Sequence, residues 1–508
     1  MTIIRRNVWE LGGTWAEPIL WYARAVQAMK KRPLDHPTSW RFYAAIHGFD
    51  EGFWREVGYL DNNDVLPSDA LQKQYWLQCQ HGTWYFLPWH RGYLLAFEAV
   101  VRAEIVKLGG PADWALPYWN YFKPRESALP KAFASRSWPD GPRDNPLFVE
   151  HRYGPRDDGN VVISSRFVNL DALREDEFAG TTTAPEFGGV DTGFEHGEHN
   201  IVPGHLEGQP HNVVHGLVGG PNPRRPGLMS YPETAALDPI FWLHHANIDR
   251  LWEVWRRDPS ATHSDPAEEK WRKGPGSFGE RAFALPKPDG SGWPFTPDDV
   301  SELSKLDYTY DDLTPVGSPA RRERLRRLGV DFETLRIDRE QPMASNKRVE
   351  MVGASRGPVT VVGSEASTSV HFDHAARARV MASLDGAEMA AAPRSPDRVF
   401  LRLENVRSTA DGTILQVYIN LPEDADPDDH PECLAGTVSL FGARKATVSE
   451  EERSGISPVI EITDVIDRLH LNDALTADAL HIRIIPLLPV PDDAAVQIAN
   501  IAIFRQGE

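Results

Sequence analysis

At 508 residues the chain is longer than a single compact core and predicts two domains. Its 41% hydrophobic and 25% charged residues describe an ordinary globular chain with no apolar run long enough to span a bilayer, which argues against a membrane-embedded protein. A net charge of -19, with Lys and Arg scattered among acids, argues against nucleic acid as a partner, and only two cysteines, Cys79 and Cys433, argue against a disulfide framework.

The first predicted element is a helix carrying Ile19, Tyr22, Val26 and Met29 at helical spacing and ending before Pro33. Arg5-Arg6 ahead of it is followed by polar residues instead of an export signal's apolar core, so the start is read as cytoplasmic. A second helix starts at Thr38 or Ser39, either of which can cap it, and sets Trp40, Ala44 and His47 on one face. A dense segment from Cys79 to Glu104 follows, then a stretch from Pro124 to Gly208, rich in Gly, Pro, Asp and Arg, that reads as ordered loop wrapping the helices.

Helical spacing returns from Pro210 to about Arg257, with His211 and His215 four apart and His245 and Asp249 four apart. Beyond Tyr308 a charged helical stretch, Arg321 to Leu328, leads into alternating runs at Leu401 to Glu404 and Leu415 to Asn420, with Asp411-Gly412 between them as a hairpin turn. Further runs at Thr437 to Phe441, Val459 to Ile462, His481 to Ile485 and Ile498 to Phe504 complete the pattern. The fold class is therefore a mainly α helix-bundle domain followed by an antiparallel β C-terminal domain.

The histidines carry the chemistry. His211 and His215, in Pro-His-Asn-Val-Val-His, lie one turn apart on one helical face and can reach a single ion. His245 completes a trigonal set, and Asp249, one turn later, can accept a hydrogen bond from an imidazole on that face. His81 and His90 are nine apart and would face opposite ways on one helix. Pro88 as the first helical residue resolves this, leaving His81 on the preceding loop and His90 in the first turn. His47 is the upstream candidate for a third ligand. Six imidazoles with no carboxylate among the ligands disfavour iron, magnesium and hydrolytic zinc, and match copper best.

At these residues the sequence resembles the tyrosinase, catechol oxidase and haemocyanin family of type-3 copper proteins. One motif is His81-x4-Phe86-Leu87-Pro88-Trp89-His90-Arg91-x2-Leu94-x3-Glu98. The other is Asp238-Pro239-Ile240-Phe241-Trp242-Leu243-His244-His245-Ala246-Asn247-Ile248-Asp249. The resemblance implies that His47, His81 and His90 bind one copper and His211, His215 and His245 the other, with dioxygen as co-substrate and a small phenol as the partner to be oxidised. It also implies a Cys79–His81 thioether, a stacking role for Phe241, and a water held by Glu207 and Asn212 as base toward a monophenol. Pro232, with Met229 beside it, falls where the family shapes the substrate entrance.

The same resemblance divides the chain into a copper domain at 1–315, a linker at 316–346 and a covering domain at 347–508 that keeps the enzyme latent, with Leu440 or Phe441 as the plug. Tyr308-x-Tyr310 resembles the motif that ends the copper domain. His196, His199 and His205 are read as hydrophilic loop residues. The expected activity is ortho-hydroxylation of monophenols or oxidation of o-diphenols or o-aminophenols to quinones. The alternative is a haemocyanin-like oxygen carrier.

Overall fold

Ser39 starts the helix that carries the first histidine. Its hydroxyl accepts the Phe42 N–H at 3.0 Å, and Trp40–His47 follows with nearly every side chain buried. The computed structural model describes residues 2–196, 201–259, 263–315, 348–384, 397–448, 454–472 and 478–507, with Arg324 and Leu328 between.

Five helices set the site. We label them α1 (Glu17–Lys30), α2 (Trp40–His47), α3 (Phe86–Lys107), α4 (Val213–Gly219) and α5 (Ile240–Arg256). In α1 the predicted stripe of Ile19, Tyr22, Val26 and Met29 is fully buried. Helix α3 begins two residues before Pro88, which sits in the first turn where no donor is lost. His81 is on the loop before it, as expected. Helix α5 is buried on almost every face, and His245 lies in its second turn. Trp242 of α5 stacks on Phe97 of α3 with ring centroids 3.4 Å apart and planes within 7°. This fixes the two ligand-bearing helices against each other.

A buried charge cluster ties the ends of this domain together. Strand β1 (Ile3–Arg5) runs parallel to β2 (Tyr308–Tyr310). Arg5 donates to Glu98 at 2.5 Å and lies 3.7 Å over the Tyr308 ring. Asp249 accepts from Arg91 Nε at 2.5 Å, Tyr308 at 2.7 Å and Tyr310 at 2.5 Å. Arg91, Arg5 and both tyrosines thus answer the carboxylate that the sequence reading aimed at an imidazole. Residues 124–208 hold only short elements, among them Lys131–Ala134 and Asp171–Arg174, in keeping with an ordered loop.

Among the described residues the C-terminal part is built, beside a two-stranded sheet of Val359–Val361 and Val496–Ile498, on an antiparallel sheet of eight strands: β3 (Arg348–Ser355), β4 (Ala366–Phe372), β5 (Arg398–Glu404), β6 (Ile414–Ile419), β7 (Leu434–Ser439), β8 (Val459–Glu461), β9 (Ala479–Pro486) and β10 (Asn500–Gly507). Their spatial order is β7-β6-β9-β4-β3-β10-β5-β8. The two edges nearly close on each other at Gly436, where an added Cβ would lie 2.7 Å from Ile460. The expected hairpin across Asp411-Gly412 does not form. β5 pairs with β8 and β10, whereas β6 pairs with β7 and β9, so the turn carries the chain across the sheet. Asp411 is instead buried, its carboxylate accepting the Arg444 N–H at 2.5 Å.

This sheet lies directly on the helical domain. Arg398 of β5 pairs with Glu175 and, at 2.8 Å, with Glu186. The Ser457 N–H bonds to Ile201 O at 2.7 Å, and Gln209 Nε2 donates to Thr437 O at 3.2 Å. Leu440 belongs to the sheet's own core, while Phe441, the next residue, packs into the core of the helical domain. The expected linker and the stretch Arg321 to Leu328 lie outside the described residues apart from Arg324 and Leu328. Among the described residues no helix is long and apolar enough to cross a membrane.

Candidate metal centre

Two groups of buried histidines face each other between α2, α3, α4 and α5. In one, donor atoms of His47, Cys79, His81 and His90 lie within 4.8 Å of one another; in the other, those of His211, His215, His244 and His245 do. The rings of His90 and His245 stack across the gap at 4.5 Å and 14°.

Backbone carbonyls fix the ring orientations. Nδ1 of His47 donates to Pro232 O at 2.8 Å, Nδ1 of His90 to Phe86 O at 2.7 Å and Nδ1 of His215 to Met229 O at 2.8 Å. A ring nitrogen facing a carbonyl carries the proton, which leaves Nε2 of each ring as a bare lone pair. His211 is held likewise through Asn212 Oδ1 at 2.8 Å. The lone pairs converge: Nε2 of His215 is 3.1 Å from that of His211 and 3.4 Å from that of His245, and His211 to His245 is 3.3 Å.

Such a cluster repels itself unless a cation sits within it. Burial disfavours imidazolium there, holding all six rings well below the ordinary histidine range, His47 at about 4. The centre of a triangle with edges of 3.1–3.4 Å lies about 1.9 Å from each corner, close to the imidazole–metal bond length of roughly 2.0 Å. In the first group His47 Nε2 is buried with no partner among the described residues. The donor sets, nitrogen with one sulfur nearby and no carboxylate, fit a pair of copper ions.

Cys79 is fully buried, its Sγ 3.4 Å from Nε2 and 3.6 Å from Nδ1 of His81. Near-equal distances to the two nitrogens place the sulfur midway between them, and it lies equally close to His90, 3.3 Å from that Nε2. Burial pushes the thiol well above its usual range. Phe241 touches both groups, with ring centroids 4.9 Å from His47 and 4.1 Å from His245.

Glu207 and Asn212 both line the small cavity above the histidines. Glu207 is buried and accepts the Gly82 N–H at 2.9 Å; burial pushes its carboxyl up to about 8. Pro232 also lines this cavity. Met229 does not: its side chain is fully buried in the core and its contribution is the carbonyl that orients His215.

Asp249 needs correction as a brace. His245 is the ring that joins His211 and His215, but its Nδ1 has no partner among the described residues, because Asp249 is fully engaged by Arg91, Tyr308 and Tyr310. His244 packs beside it, 3.3 Å from the Tyr121 hydroxyl. His196 and His205 are likewise not free loop residues. His196 donates to Cys79 O at 2.9 Å and lines the cavity, and His205 bonds to Glu175; His199 lies outside the described residues.

Sequence reasoning missed the carbonyl anchors, since a carbonyl is present at every residue and leaves no signal. It also missed Phe86, wedged 4.5 Å from His90 and 4.7 Å from His211. The i, i+4 spacing of Phe86 to His90 on one helix could have found it.

Residues 37–258 match the common central domain of tyrosinase, and residues 348–506 match a domain of unknown function. A tyrosinase of Hahella sp. (strain CCB-MM4) is 32% identical over 528 residues, covering 99% of this chain and 99% of its own. The chain belongs to the tyrosinase family. This tyrosinase-family chain is an oxidoreductase, and a full-length tyrosinase relative favours the enzyme over the oxygen carrier.

The latent form of chloroplastic polyphenol oxidase of Prunus armeniaca is 30% identical over 46% of this chain and 38% of its own. Latent apple tyrosinase matches 99% of this chain and 97% of its own at a TM-score of 0.58 and 21% identity. Latent aurone synthase matches at a TM-score of 0.60 and 17% identity over 100% and 90%. The fold of a helical domain beneath a β domain is thus shared with these proteins.

Proposed function

We propose that this protein oxidises o-diphenols, and hydroxylates monophenols, with dioxygen at two copper ions, one held by His47, His81 and His90 and the other by His211, His215 and His245. The observation that carries it is the convergence of three buried Nε2 atoms, those of His211 and His215 held by Asn212 Oδ1 and Met229 O, in a donor set that contains no carboxylate. Copper there supplies the one-electron steps that couple a phenol to dioxygen. In diphenol oxidation each dioxygen takes four electrons and four protons from two catechols and leaves as two waters; in monophenol hydroxylation one of its oxygen atoms enters the ring, giving the o-quinone, and the other leaves as water.

The chain's own residues do the rest. Carbonyls of Phe86, Met229 and Pro232 hold the ligand rings in one tautomer. Phe86 and Phe241 keep the gap dry. Glu207, beside Asn212 at the cavity, is protonated near neutral pH in the metal-free chain. Two dications nearby would lower its pKa and make it the base that takes the proton of an incoming phenol. Cys79, with its sulfur beside the His81 ring, is within reach of a thioether that would fix that ligand.

The covering domain, which follows the proposed linker at 316–346, keeps the pocket closed. The Phe441 ring lies parallel to His215 at 4.3 Å and 24°, and edge-on to His81 at 5.4 Å, where a phenol must bind. The space left is about 20 Å³, room for about one water and not for a ring. The test is oxygen uptake with quinone formation from 4-methylcatechol by the copper-loaded chain. Uptake that rises when the cover is loosened supports the reading, and reversible oxygen binding without quinone refutes it.

A further inference from the structure

The covering segment sets an aromatic ring in the pocket and, three residues on, a guanidinium at its edge against Glu233. Phe441 lies over His215, and Gly442, at φ +86°, turns the chain into the helix that carries Arg444. The Arg444 guanidinium sits 2.8 Å from Glu233 Oε1 and 3.3 Å from Asp50 Oδ2, with its carbon 5.3 Å over the Phe53 ring. Glu233, Asp50 and Phe53 belong to the helical domain and stay when the cover moves, whereas Arg444 leaves with it.

Glu233 is not a surface acid that happens to pair. It lines the cavity directly after Pro232, is only 7% exposed, and its Oε2 has no partner among the described residues. Its backbone is pinned, with the carbonyl accepting Trp54 Nε1 at 2.6 Å, next to the Pro232 carbonyl that holds His47. Once Arg444 withdraws, a pre-positioned carboxylate without its counter-ion is left at the edge of the pocket, beside a second carboxylate and an aromatic face. A buried charge without a counter-ion is costly, so a cation entering there gains what Arg444 gave up, and an anion is repelled.

We propose that Glu233, assisted by Asp50 and Phe53, is the specificity-determining residue of the uncovered pocket, selecting phenols whose ring substituent ends in a protonated amine. Phe441 and Arg444 together imitate such a substrate in the covered state, the ring in the place of the phenol and the guanidinium in the place of the amine. This rests on the phenol-oxidase reading and adds a substrate class to it. The chain's charge of -19 works in the same direction, drawing cationic phenols toward the protein.

The test uses the full-length, copper-loaded chain carrying Phe441→Ala and Arg444→Ala, which empties both places. Specificity constants kcat/KM are compared for dopamine, neutral 4-methylcatechol and anionic 3,4-dihydroxyphenylacetate. Dopamine is expected to exceed 4-methylcatechol by about tenfold and the acid to fall below it, as one charge-assisted hydrogen bond implies. Added salt shrinks the ratio. Adding Glu233→Gln brings the dopamine ratio to within about twofold of one, and Asp50→Asn lowers it in part. Because each ratio is read within one variant, losses of folding cancel.

Binding of phenethylamine to the metal-free protein, by calorimetry, gives the same comparison without any turnover. A parent that shows no amine preference, or a preference that survives Glu233→Gln, overturns the proposal. A parent loaded with two coppers that leaves 4-methylcatechol untouched instead overturns the phenol-oxidase reading, and phenethylamine binding still decides the role of Glu233.

Discussion

Truncating Phe441 in the intact chain should switch the enzyme on without cutting it. The ring is 5% exposed and is held by His215, His81 and His211 at centroid distances of 4.3, 5.4 and 5.9 Å. Truncation of a buried phenylalanine to alanine forfeits about 3–5 kcal/mol. If about 3 kcal/mol of this favours the plugged arrangement, its loss raises the fraction of unplugged pockets by about a hundredfold. The vacated volume also admits a phenol ring while Arg398 and Arg444 still hold the cover in place. Oxygen uptake with 4-methylcatechol, normalised to copper content, is therefore expected to rise at least tenfold in Phe441→Ala. The neighbouring Leu440→Ala faces the sheet core and lowers the melting temperature of the cover instead. If Phe441→Ala matches the unsubstituted chain to within twofold at equal copper, the plug assignment is wrong.

Three further outcomes follow from the site. Formation of the Cys79–His81 thioether removes two hydrogens, so a peptide holding both residues should be lighter by that amount after copper loading and aerobic turnover; an unchanged mass, with the thiol still open to alkylation, would count against it. Asp249→Asn, which breaks a buried ion pair with Arg91, should cost about 3–5 kcal/mol in thermal unfolding yet leave copper stoichiometry intact, because Asp249 touches no imidazole. In the metal-free protein Glu207, raised from 4.5 to about 8, contributes stability that is full below pH 4.5 and is lost as pH rises through about 8. Glu207→Gln should flatten the stability profile between about pH 5 and 8, and parallel profiles for the two proteins would contradict the shift.

Much of this site is legible in the sequence because its signals are local. The i, i+4 pair His211/His215, Pro88 separating His81 from His90, and Ser39 capping the helix that ends at His47 each follow from spacing and backbone chemistry. What was not legible depends on long-range placement. His245 belongs with His211 and His215, but not for the reason its spacing to Asp249 suggested. Arg5 and Tyr310, 244 and 61 residues away in the chain, take that carboxylate. Asp411-Gly412 carries a strong turn signal, yet strand pairing is set by the whole sheet, which inserts β10 and others between β5 and β6. Alternation also could not separate Leu440 from Phe441, since which of two adjacent residues faces out is fixed by what the strand packs against.

The proposed chemistry requires that each of the two imidazole triads hold a copper ion. Elemental analysis of the copper-reconstituted full chain measures this most directly, alongside His47→Asn and His215→Asn, one from each triad. The account predicts two coppers per chain, falling toward one in either variant. Zinc in place of copper, or a copper content that neither substitution changes, would contradict it.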